Sequence, residues 1–223
     1  MDPFRDVLAA AAREAFALFV PVECVGCGTP DAAVCDGCAA GMSGPVLRRD
    51  IAPGFPVWAG TEYTGVARRA ILALKNDART DAAGALARLL EAAIEAAVTD
   101  LARKSDFPGV VDLATLPSTR AAYRRRGYRP VDVLVRQTRL RAGHWLRWQR
   151  QPADQIGLGI EARQANLAGS LRAGPRASGR RFLLVDDVVT TGGTLREAHR
   201  ALTAAGGCVL GAAVVAATPR YLP

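Results

Sequence analysis

Residues 181–194 carry most of the information about the architecture, and they read Arg181-Phe182-Leu183-Leu184-Val185-Asp186-Asp187-Val188-Val189-Thr190-Thr191-Gly192-Gly193-Thr194. The apolar first half predicts a buried strand over residues 181–186, and a helix is predicted over residues 194–205. Between them lies a loop of Thr and Gly, in which glycines let the backbone wrap closely and the helix start presents free N–H groups. Ligands of open α/β sheets bind beyond the carboxyl ends of strands, so this stretch predicts a phosphate site beside two acids.

The two acids, Asp186 and Asp187, can accept hydrogen bonds from sugar hydroxyls or hold a hard cation directly or through water. A phosphate at the loop and a vicinal diol at the acids together describe a ribose 5-phosphate. A plainer interpretation stays open for the acids or glycines taken alone: Asp187 as a capping residue within an ordinary strand-to-helix turn. A receiver-domain acid pocket would not explain the loop, and the Gly spacing fits neither a dinucleotide fingerprint nor a Walker loop.

Strand and helix patterns alternate along most of the chain beyond residue 50. Strands are predicted over residues 57–63, 110–116, 144–148 and 208–216, and helices over residues 65–75, 81–104, 131–141 and 159–167. A further amphipathic helix is predicted over residues 4–19. Such alternation predicts a parallel sheet with helices on both faces, an α/β domain.

Four of the five cysteines form two CxxC pairs, Cys24-Val25-Gly26-Cys27 and Cys35-Asp36-Gly37-Cys38, separated by seven residues. Each pair can grip one ion with two sulfurs, so four thiolates complete a tetrahedral structural zinc site. An iron–sulfur cluster and a dithiol redox pair are weaker alternatives. A closed four-Cys site has no open position for catalysis, which assigns it to folding or docking. The fifth, Cys208, lies in an apolar strand and is expected to be a buried thiol.

The Pro/Gly-rich connection over residues 53–56 marks the predicted domain boundary. It divides the chain into an N-terminal helix and zinc-binding module, residues 1–50, and a second domain, residues 51–223. The first residues show no secretory signal. The uncharged run over residues 201–219 is interpreted as a helix end, a turn and a strand, so we expect a cytoplasmic protein without a membrane partner, whose thiols are reduced.

The charge balance is basic, with 29 Lys and Arg against 21 Asp and Glu in 223 residues, a formal net charge of +8. Half of the residues are hydrophobic, which excludes wholesale disorder. Lys75 and Lys104 are the only lysines, so the charge is almost all Arg, and residues 120–150 hold ten Arg and one acid, Asp132. Guanidinium groups suit phosphate and pyrophosphate as well as nucleic acid.

Residues 185–194 resemble the phosphoribosyl pyrophosphate (PRPP) motif of the type I phosphoribosyltransferases. Further motifs occur in the order seen in the ComF family of competence-protein phosphoribosyltransferase-like proteins, a similarity that spans about residues 22 to 217. They are the four Cys, Leu72-Ala73-Leu74-Lys75, Leu116-Pro117, Arg124-Arg125-Arg126-Gly127-Tyr128 and Arg163-Gln164-Ala165-Asn166. Arg129-Pro130 departs from the family's Asn-Gln. The resemblance implies a type I phosphoribosyltransferase-like parallel sheet with helices on both faces, plus the small four-Cys module.

The resemblance also implies roles for matching positions. Asp186 and Asp187, the catalytic pair, would contact the ribose hydroxyls with Mg²⁺ nearby. The 5-phosphate would be cradled by Thr190, Thr191, Gly192, Gly193 and Thr194. The pyrophosphate would be held by Pro117, Ser118, Thr119 and Arg120, which follow a predicted strand, and by Arg124, Arg125 and Arg126, expected to open the next helix. The implied reaction transfers phosphoribosyl from PRPP to an unknown nucleophile and releases pyrophosphate.

An alternative function is a non-catalytic one, in which the chain interacts with nucleic acid or with the DNA-uptake machinery and uses the site for binding or regulation. Its partners would be single-stranded DNA or a competence helicase. A basic stripe with Trp145, Trp148 and Tyr128 could contact a phosphate backbone and stack bases. For the exposed arginines of the predicted helix, a solvated basic face is the preferred interpretation; these are Arg136, Arg139 and Arg141.

Overall fold

A computed structural model describes residues 22–103, 110–151 and 167–219. The predicted helices over residues 4–19 and 159–167, apart from Leu167, lie outside the described residues, as does the motif Arg163 to Asn166. The helices are α1 Asp36–Met42, α2 Gly65–Asn76, α3 Ala83–Ala102, α4 Arg120–Arg126, α5 Pro130–Gln137 and α6 Gly193–Ala204. The strands are β1 Leu47–Ala52, β2 Phe55–Glu62, β3 Asp112–Thr115, β4 Ala142–Gly143, β5 Leu146–Trp148, β6 Leu171–Ala173, β7 Arg181–Val189 and β8 Cys208–Ala217.

Six strands form one sheet in the order β1-β2-β8-β7-β3-β4. Adjacent strands of this sheet are parallel except at one edge, where β1 and β2 are antiparallel. A tight turn at Gly54, whose φ is +71°, connects β1 to β2. The predicted α/β architecture is confirmed. Strand β1 was not predicted, because its three consecutive charged residues and the flanking Pro and Gly are typical of a connection. The domain division after residue 50 falls within β1 and stays a prediction.

Strand β7 is apolar from Phe182 to Val185 because both of its faces are buried there. Leu183 and Val185 pack with helices α2, α3 and α5 on one face of the sheet. Phe182 and Leu184 pack with α6 on the other face, which is also covered by a separate two-stranded ribbon of β5 and β6. Successive side chains of a strand point to opposite faces, so adjacent acids at its end are directed to different surroundings.

Small residues let α3 approach the sheet closely. Its buried alanines leave room for the backbone of β2, and Gly60 of β2 lies directly under the helix. A Cβ on Gly60 would lie 2.2 Å from the carbonyl oxygen of Leu89. The abundance of alanine in the sequence therefore reflects helix-on-sheet packing. Among the described helices, none combines the length and the apolar character that crossing a membrane requires.

Two local predictions were wrong, and a third was right only in part. The strand predicted over residues 144–148 is confirmed in part, because β5 covers Leu146–Trp148 but pairs with β6 outside the main sheet. Helix α5 ends at Gln137 rather than near residue 141, since the Thr138 hydroxyl donates to the carbonyl of Val135 and Leu140 N–H donates to that hydroxyl. Cys208 is exposed rather than buried, because it is the first residue of β8, at the open end of the sheet.

Candidate functional site

The Thr/Gly loop (residues 190–194) joins the carboxyl end of β7 to the start of α6. Strand β7 runs past both acids to Val189, because it stays paired with β8 as far as Ala217. Gly192 precedes α6 with a φ of +75°, a conformation that favours glycine, and a Cβ there would lie 2.8 Å from the Ile51 side chain. The loop and Asp186 surround a cavity of about 100 Å³ at the helix N-terminus, and its role as a phosphate site stays a prediction.

Two arginines donate hydrogen bonds to backbone carbonyl oxygens in and beside the Thr/Gly loop. Arg49 of β1 donates through Nη1 to Thr218 O at 2.7 Å, and through Nη2 to Val189 O at 3.1 Å and Thr190 O at 3.2 Å. Arg196 of α6 donates through Nη1 to Thr191 O at 2.9 Å and to Ile51 O at 3.2 Å. Bonds to the carbonyl oxygens fix the orientation of these peptide groups, so Arg49 and Arg196 shape the loop without entering its cavity. Neither residue was found from the sequence.

A second cavity, of about 370 Å³, lies between the acids and the turn from β3 to α4. Its lining includes both carboxylates and three residues of the predicted pyrophosphate segment, Pro117, Ser118 and Thr119. It adjoins the cavity of the Thr/Gly loop, because the two share the residues Asp186, Val188, Thr190 and Thr194. The arrangement offers a small anion site and a larger one, with carboxylates between them.

Asp187 is directed toward α2, where it pairs with Lys75. The Lys75 ammonium donates to Asp187 Oδ1 at 2.7 Å, and Asp187 is only 7% exposed. Burial lowers the pKa of Lys75, but the carboxylates of Asp187 and Asp186 outweigh it and raise that pKa above its ordinary value. Lys75 is therefore a fixed positive charge in the larger cavity, and it was given no role from the sequence. The near absence of lysine is the signal that could have found it.

Asp186 lies between the two cavities and accepts a hydrogen bond from the Asp187 N–H at 2.9 Å. Burial, followed by the neighbouring Asp187 carboxylate, raises the pKa of Asp186 to about 7, against the smaller opposing effects of Lys75 and the Asp187 N–H. Such a pair of acids fits a hard divalent cation, because carboxylate oxygens are its preferred ligands and a nearby cation favours their ionised forms.

The last turn of α2, which carries Lys75, is fixed by the segment that follows α4. Arg126 Nε donates to the carbonyl of Lys75 at 2.6 Å, and the Tyr128 hydroxyl donates to the carbonyl of Leu74. Both bonds satisfy carbonyl groups that a helix end leaves without partners. Arg126 lines the larger cavity and so keeps its predicted place there, while its Nε also positions Lys75.

The other predicted pyrophosphate residues are spread along α4. The Thr119 hydroxyl caps the helix by accepting from Ala122 N–H at 3.2 Å, and Arg120 N–H donates to Gln151 Oε1. Arg124 and Arg125 are exposed and lie outside the cavity lining, and with Arg126 they end α4 rather than open a helix. Gly127, with a φ of +76°, stops the helix directly after them. The pyrophosphate roles of Arg120, Arg124 and Arg125 stay predictions.

The departure at Arg129-Pro130 has a local explanation. Pro130 is the first residue of α5, a position where proline is favoured because its missing N–H would have no helical partner. The Arg129 guanidinium lies 5.7 Å from the ring centre of Tyr123 and 3.8 Å from the Asp132 carboxylate. These two residues therefore organise the start of α5.

The four cysteines Cys24, Cys27, Cys35 and Cys38 meet as predicted, with their sulfurs all within 4.8 Å of one another. The Sγ atoms of Cys27 and Cys35 are 3.6 Å apart, and a tetrahedral zinc site with Zn–S bonds of about 2.3 Å needs sulfurs about 3.8 Å apart. The backbone N–H groups of Gly26 and Cys35 donate to Cys24 Sγ. Burial raises the pKa of Cys24, yet the N–H donors outweigh it and lower that pKa to about 6. This donor set fits one zinc ion.

The three aromatic residues expected to stack bases are engaged elsewhere. The Trp148 indole N–H donates to Pro117 O at 2.9 Å, and the Tyr128 hydroxyl donates to Leu74 O. Trp145 packs edge-on against Phe182 at 5.3 Å, with the Arg180 guanidinium 5.0 Å from its ring centre. These contacts make structural anchors of the aromatics rather than an open stacking platform.

A family model described as the phosphoribosyl transferase domain matches residues 82–222, more than half of the chain. The chain belongs to the phosphoribosyl transferase domain family.

Two of its relatives are proteins named DNA utilization protein YhgH. The one from Salmonella typhi is 29% identical over 159 residues, and the one from Salmonella typhimurium is 29% identical over 160 residues. Each match covers 67% of this chain and 66% of the relative's length. An orotate phosphoribosyltransferase from a Nocardioides species is 58% identical over 36 residues, 16% of this chain and 20% of that protein. The domain match and the YhgH proteins together support the ComF-type resemblance.

Proposed function

We propose that this protein binds PRPP with Mg²⁺ and transfers its phosphoribosyl group to a nucleophile, with release of pyrophosphate. The observation that carries the proposal is the pair of adjoining cavities that share Asp186. The Thr/Gly loop would hold the 5-phosphate, the two acids would hold the ribose hydroxyls, and the β3–α4 turn would hold the pyrophosphate. When bound, Mg²⁺ would neutralise charge on the pyrophosphate.

The proposed reaction requires the protein to hold and orient the reactants. The bond between C1 of the ribose and the pyrophosphate oxygen breaks with its electron pair on the oxygen, while the nucleophile's lone pair forms the new bond to C1. Positive charge develops on the sugar, so no covalent intermediate with the protein is needed. Lys75 and Arg126 add positive charge in the larger cavity, where it would stabilise the leaving group.

Pyrophosphate release from PRPP in the presence of Mg²⁺, screened over a panel of bases and amines, tests the transferase proposal. We expect release with at least one nucleophile and its loss in the Asp187→Asn variant. The matched control is Glu95→Gln, which makes the same carboxylate-to-amide change at an exposed position of α3. Pyrophosphate release that persists unchanged in Asp187→Asn would contradict the proposal. The absence of release with every nucleophile of the panel would also contradict it.

We further propose that the four cysteines hold one structural zinc ion. Their thiols would stay reduced in the cytoplasm, where we place the protein. The N–H donors on Cys24 Sγ support thiolate formation, which metal binding requires.

A second candidate function is a role in handling DNA, which does not require turnover. The relatives named as DNA utilization proteins and the formal net charge of +8 favour it. The two functions are compatible, because a sugar-phosphate site and a basic surface occupy different parts of the chain. Single-stranded DNA or a competence helicase would be the partner.

A further inference from the structure

The ribbon of β5 and β6 carries two arginines directly opposite each other. Arg147 and Arg172 are paired in the antiparallel register, and both are exposed. Their neighbours Leu146 and Leu171 are buried in the core beneath the sheet's α6 face. The alternation of a strand therefore fixes both guanidinium groups on the outer face of the ribbon.

Like charges directly opposite in a sheet are destabilising. Arg176, which follows β6, is also exposed and adds a third positive charge. In the described part of the chain, these three arginines have no ion pair with an acid. We name Arg147, Arg172 and Arg176 the arginine ribbon. A bound polyanion would relieve its repulsion.

A groove runs along each side of the arginine ribbon. One, of about 380 Å³, is lined by residues that include Trp145, Arg147 and Arg176. The other, of about 480 Å³, is lined by residues that include Arg172 and Arg200. Glu197, which lies close enough to bond Arg200 at 2.8 Å, is only 5% exposed. Positive charge therefore faces solvent on both sides, and each groove has the size of a site for a small organic molecule, about 300–1,000 Å³.

We propose that the arginine ribbon binds the phosphate backbone of single-stranded nucleic acid. Guanidinium groups pair with backbone phosphates without reading sequence, and the grooves can admit bases that are not stacked in a duplex. An acidic protein partner is disfavoured because protein interfaces depend on large apolar or aromatic anchors. The large hydrophobic side chains exposed in the described residues are Val98, Val110 and Tyr123, and none of them lies on the ribbon.

The arginine ribbon gives the second candidate function a location, and the proposal rests on that function rather than on phosphoribosyl transfer. The ribbon arginines lie outside the linings of both PRPP cavities. Loss of nucleic-acid binding and loss of PRPP binding are therefore separable by mutation.

The test is fluorescence anisotropy with a labelled oligothymidylate over a series of salt concentrations. Arg147→Glu/Arg172→Glu keeps a like-charge pair in the ribbon but reverses its sign. We expect at least a tenfold loss of affinity, and a salt slope that is smaller by about 0.7 for each phosphate the variant no longer neutralises. The matched control is Arg68→Glu/Arg88→Glu, which makes the same change in net charge at exposed positions of α2 and α3 and should change affinity less than threefold.

A single substitution, Arg172→Glu, separates binding from folding. It places opposite charges across the ribbon, so the melting temperature should hold or rise while oligothymidylate affinity falls. PRPP binding by calorimetry should stay unchanged in the same variant. Equal losses in the ribbon and control pairs, duplex DNA bound as tightly as the single strand, or equal competition by polyglutamate would each overturn the proposal.

Discussion

Asp186 connects the structure of the site to a pH dependence. Its pKa of about 7 lies well above the ordinary aspartate value, because the carboxyl is buried and beside Asp187. Mg²⁺ and ribose hydroxyls favour the ionised form, so binding would remove the proton and affinity should rise as the pH increases. Between pH 6 and pH 8 we expect PRPP affinity to rise about tenfold from this group.

The measurement is calorimetry of Mg²⁺ and PRPP at several pH values, with Asp186→Asn as the control. The ligand's own phosphates titrate equally with both proteins, so the difference between the two profiles isolates Asp186. A profile for Asp186→Asn that is as steep as that of the natural protein would contradict this assignment.

Individual site residues were predictable where their chemistry is local in sequence. Asp186, Asp187 and the Thr/Gly loop are contiguous, and strand-end geometry brings them to one cavity. Lys75 was not predictable in this way, because its partner Asp187 is 112 residues distant along the chain. The guanidinium of Arg126 gave a signal for anion binding, but only the fold shows that its Nε bonds to a helix carbonyl.

Strand β1 supports the Thr/Gly loop through Arg49, and with it the phosphate site that we propose there. An ammonium cannot reach the three carbonyls that this guanidinium bonds, so Arg49→Lys should loosen the Thr/Gly loop. We expect ribose 5-phosphate affinity to fall about tenfold, the equivalent of about 1.4 kcal/mol. Calorimetry with ribose 5-phosphate is the measurement, since this ligand lacks the pyrophosphate.

The matched control for Arg49→Lys is Arg48→Lys on the same strand. Arg48 is exposed and lies 3.5 Å from the Asp50 carboxylate, away from the loop carbonyls. Equal affinities of the two variants for ribose 5-phosphate would show that β1 does not support the site.

Helices and strands were predicted best where the sequence has a clear hydrophobic periodicity and the element is buried in the fold. Strand β8 and helices α2 and α6 have bounds within two residues of those predicted. Strand β1 was missed because none of its residues is fully buried and its charged residues gave no apolar run. Strand β6 was missed because its three residues are too few for a periodic signal, and its pairing with β5 joins segments that are distant along the chain.

The four-Cys module packs on the same helix that presents Lys75. Arg69 of α2 donates to the carbonyl of Gly26 at 2.8 Å, and Arg79, beyond α2, donates to that of Glu23 at 2.7 Å. A Cβ on Gly26 would lie 2.5 Å from Cys38 Sγ and 2.9 Å from the Val66 side chain, so the knuckle is tightly packed against α2. The module is therefore part of the support for the site.

One zinc ion per chain should co-purify with the protein, and Cys38→Ser should lose it and lower the melting temperature. The control is Cys208→Ser, since Cys208 is exposed and lies outside the four-Cys cluster. Elemental analysis gives the metal content, and thermal unfolding gives the stability. Protein purified in reducing buffer without chelators and containing no zinc would contradict the assignment.

The whole molecule combines two adjoining cavities beyond the sheet's carboxyl edge, where we propose that PRPP binds, with a basic ribbon on its α6 face. The fold class and the four-Cys cluster followed from the sequence, because they rest on alternation and spacing. The separation of the arginine ribbon from the cavities at the end of β7 could not be predicted from the sequence. It depends on which strands share a sheet and on where each arginine side chain is directed.

Calorimetric titration of PRPP with Mg²⁺ is the decisive measurement for the site at the end of β7. We expect one PRPP per chain, with loss of measurable binding in Asp186→Asn/Asp187→Asn and at least a tenfold loss of affinity in Thr191→Val. Thr203→Val, the same change at an exposed position of α6, should bind like the natural protein. Unaltered PRPP affinity in the double Asn variant would show that PRPP does not bind at these acids.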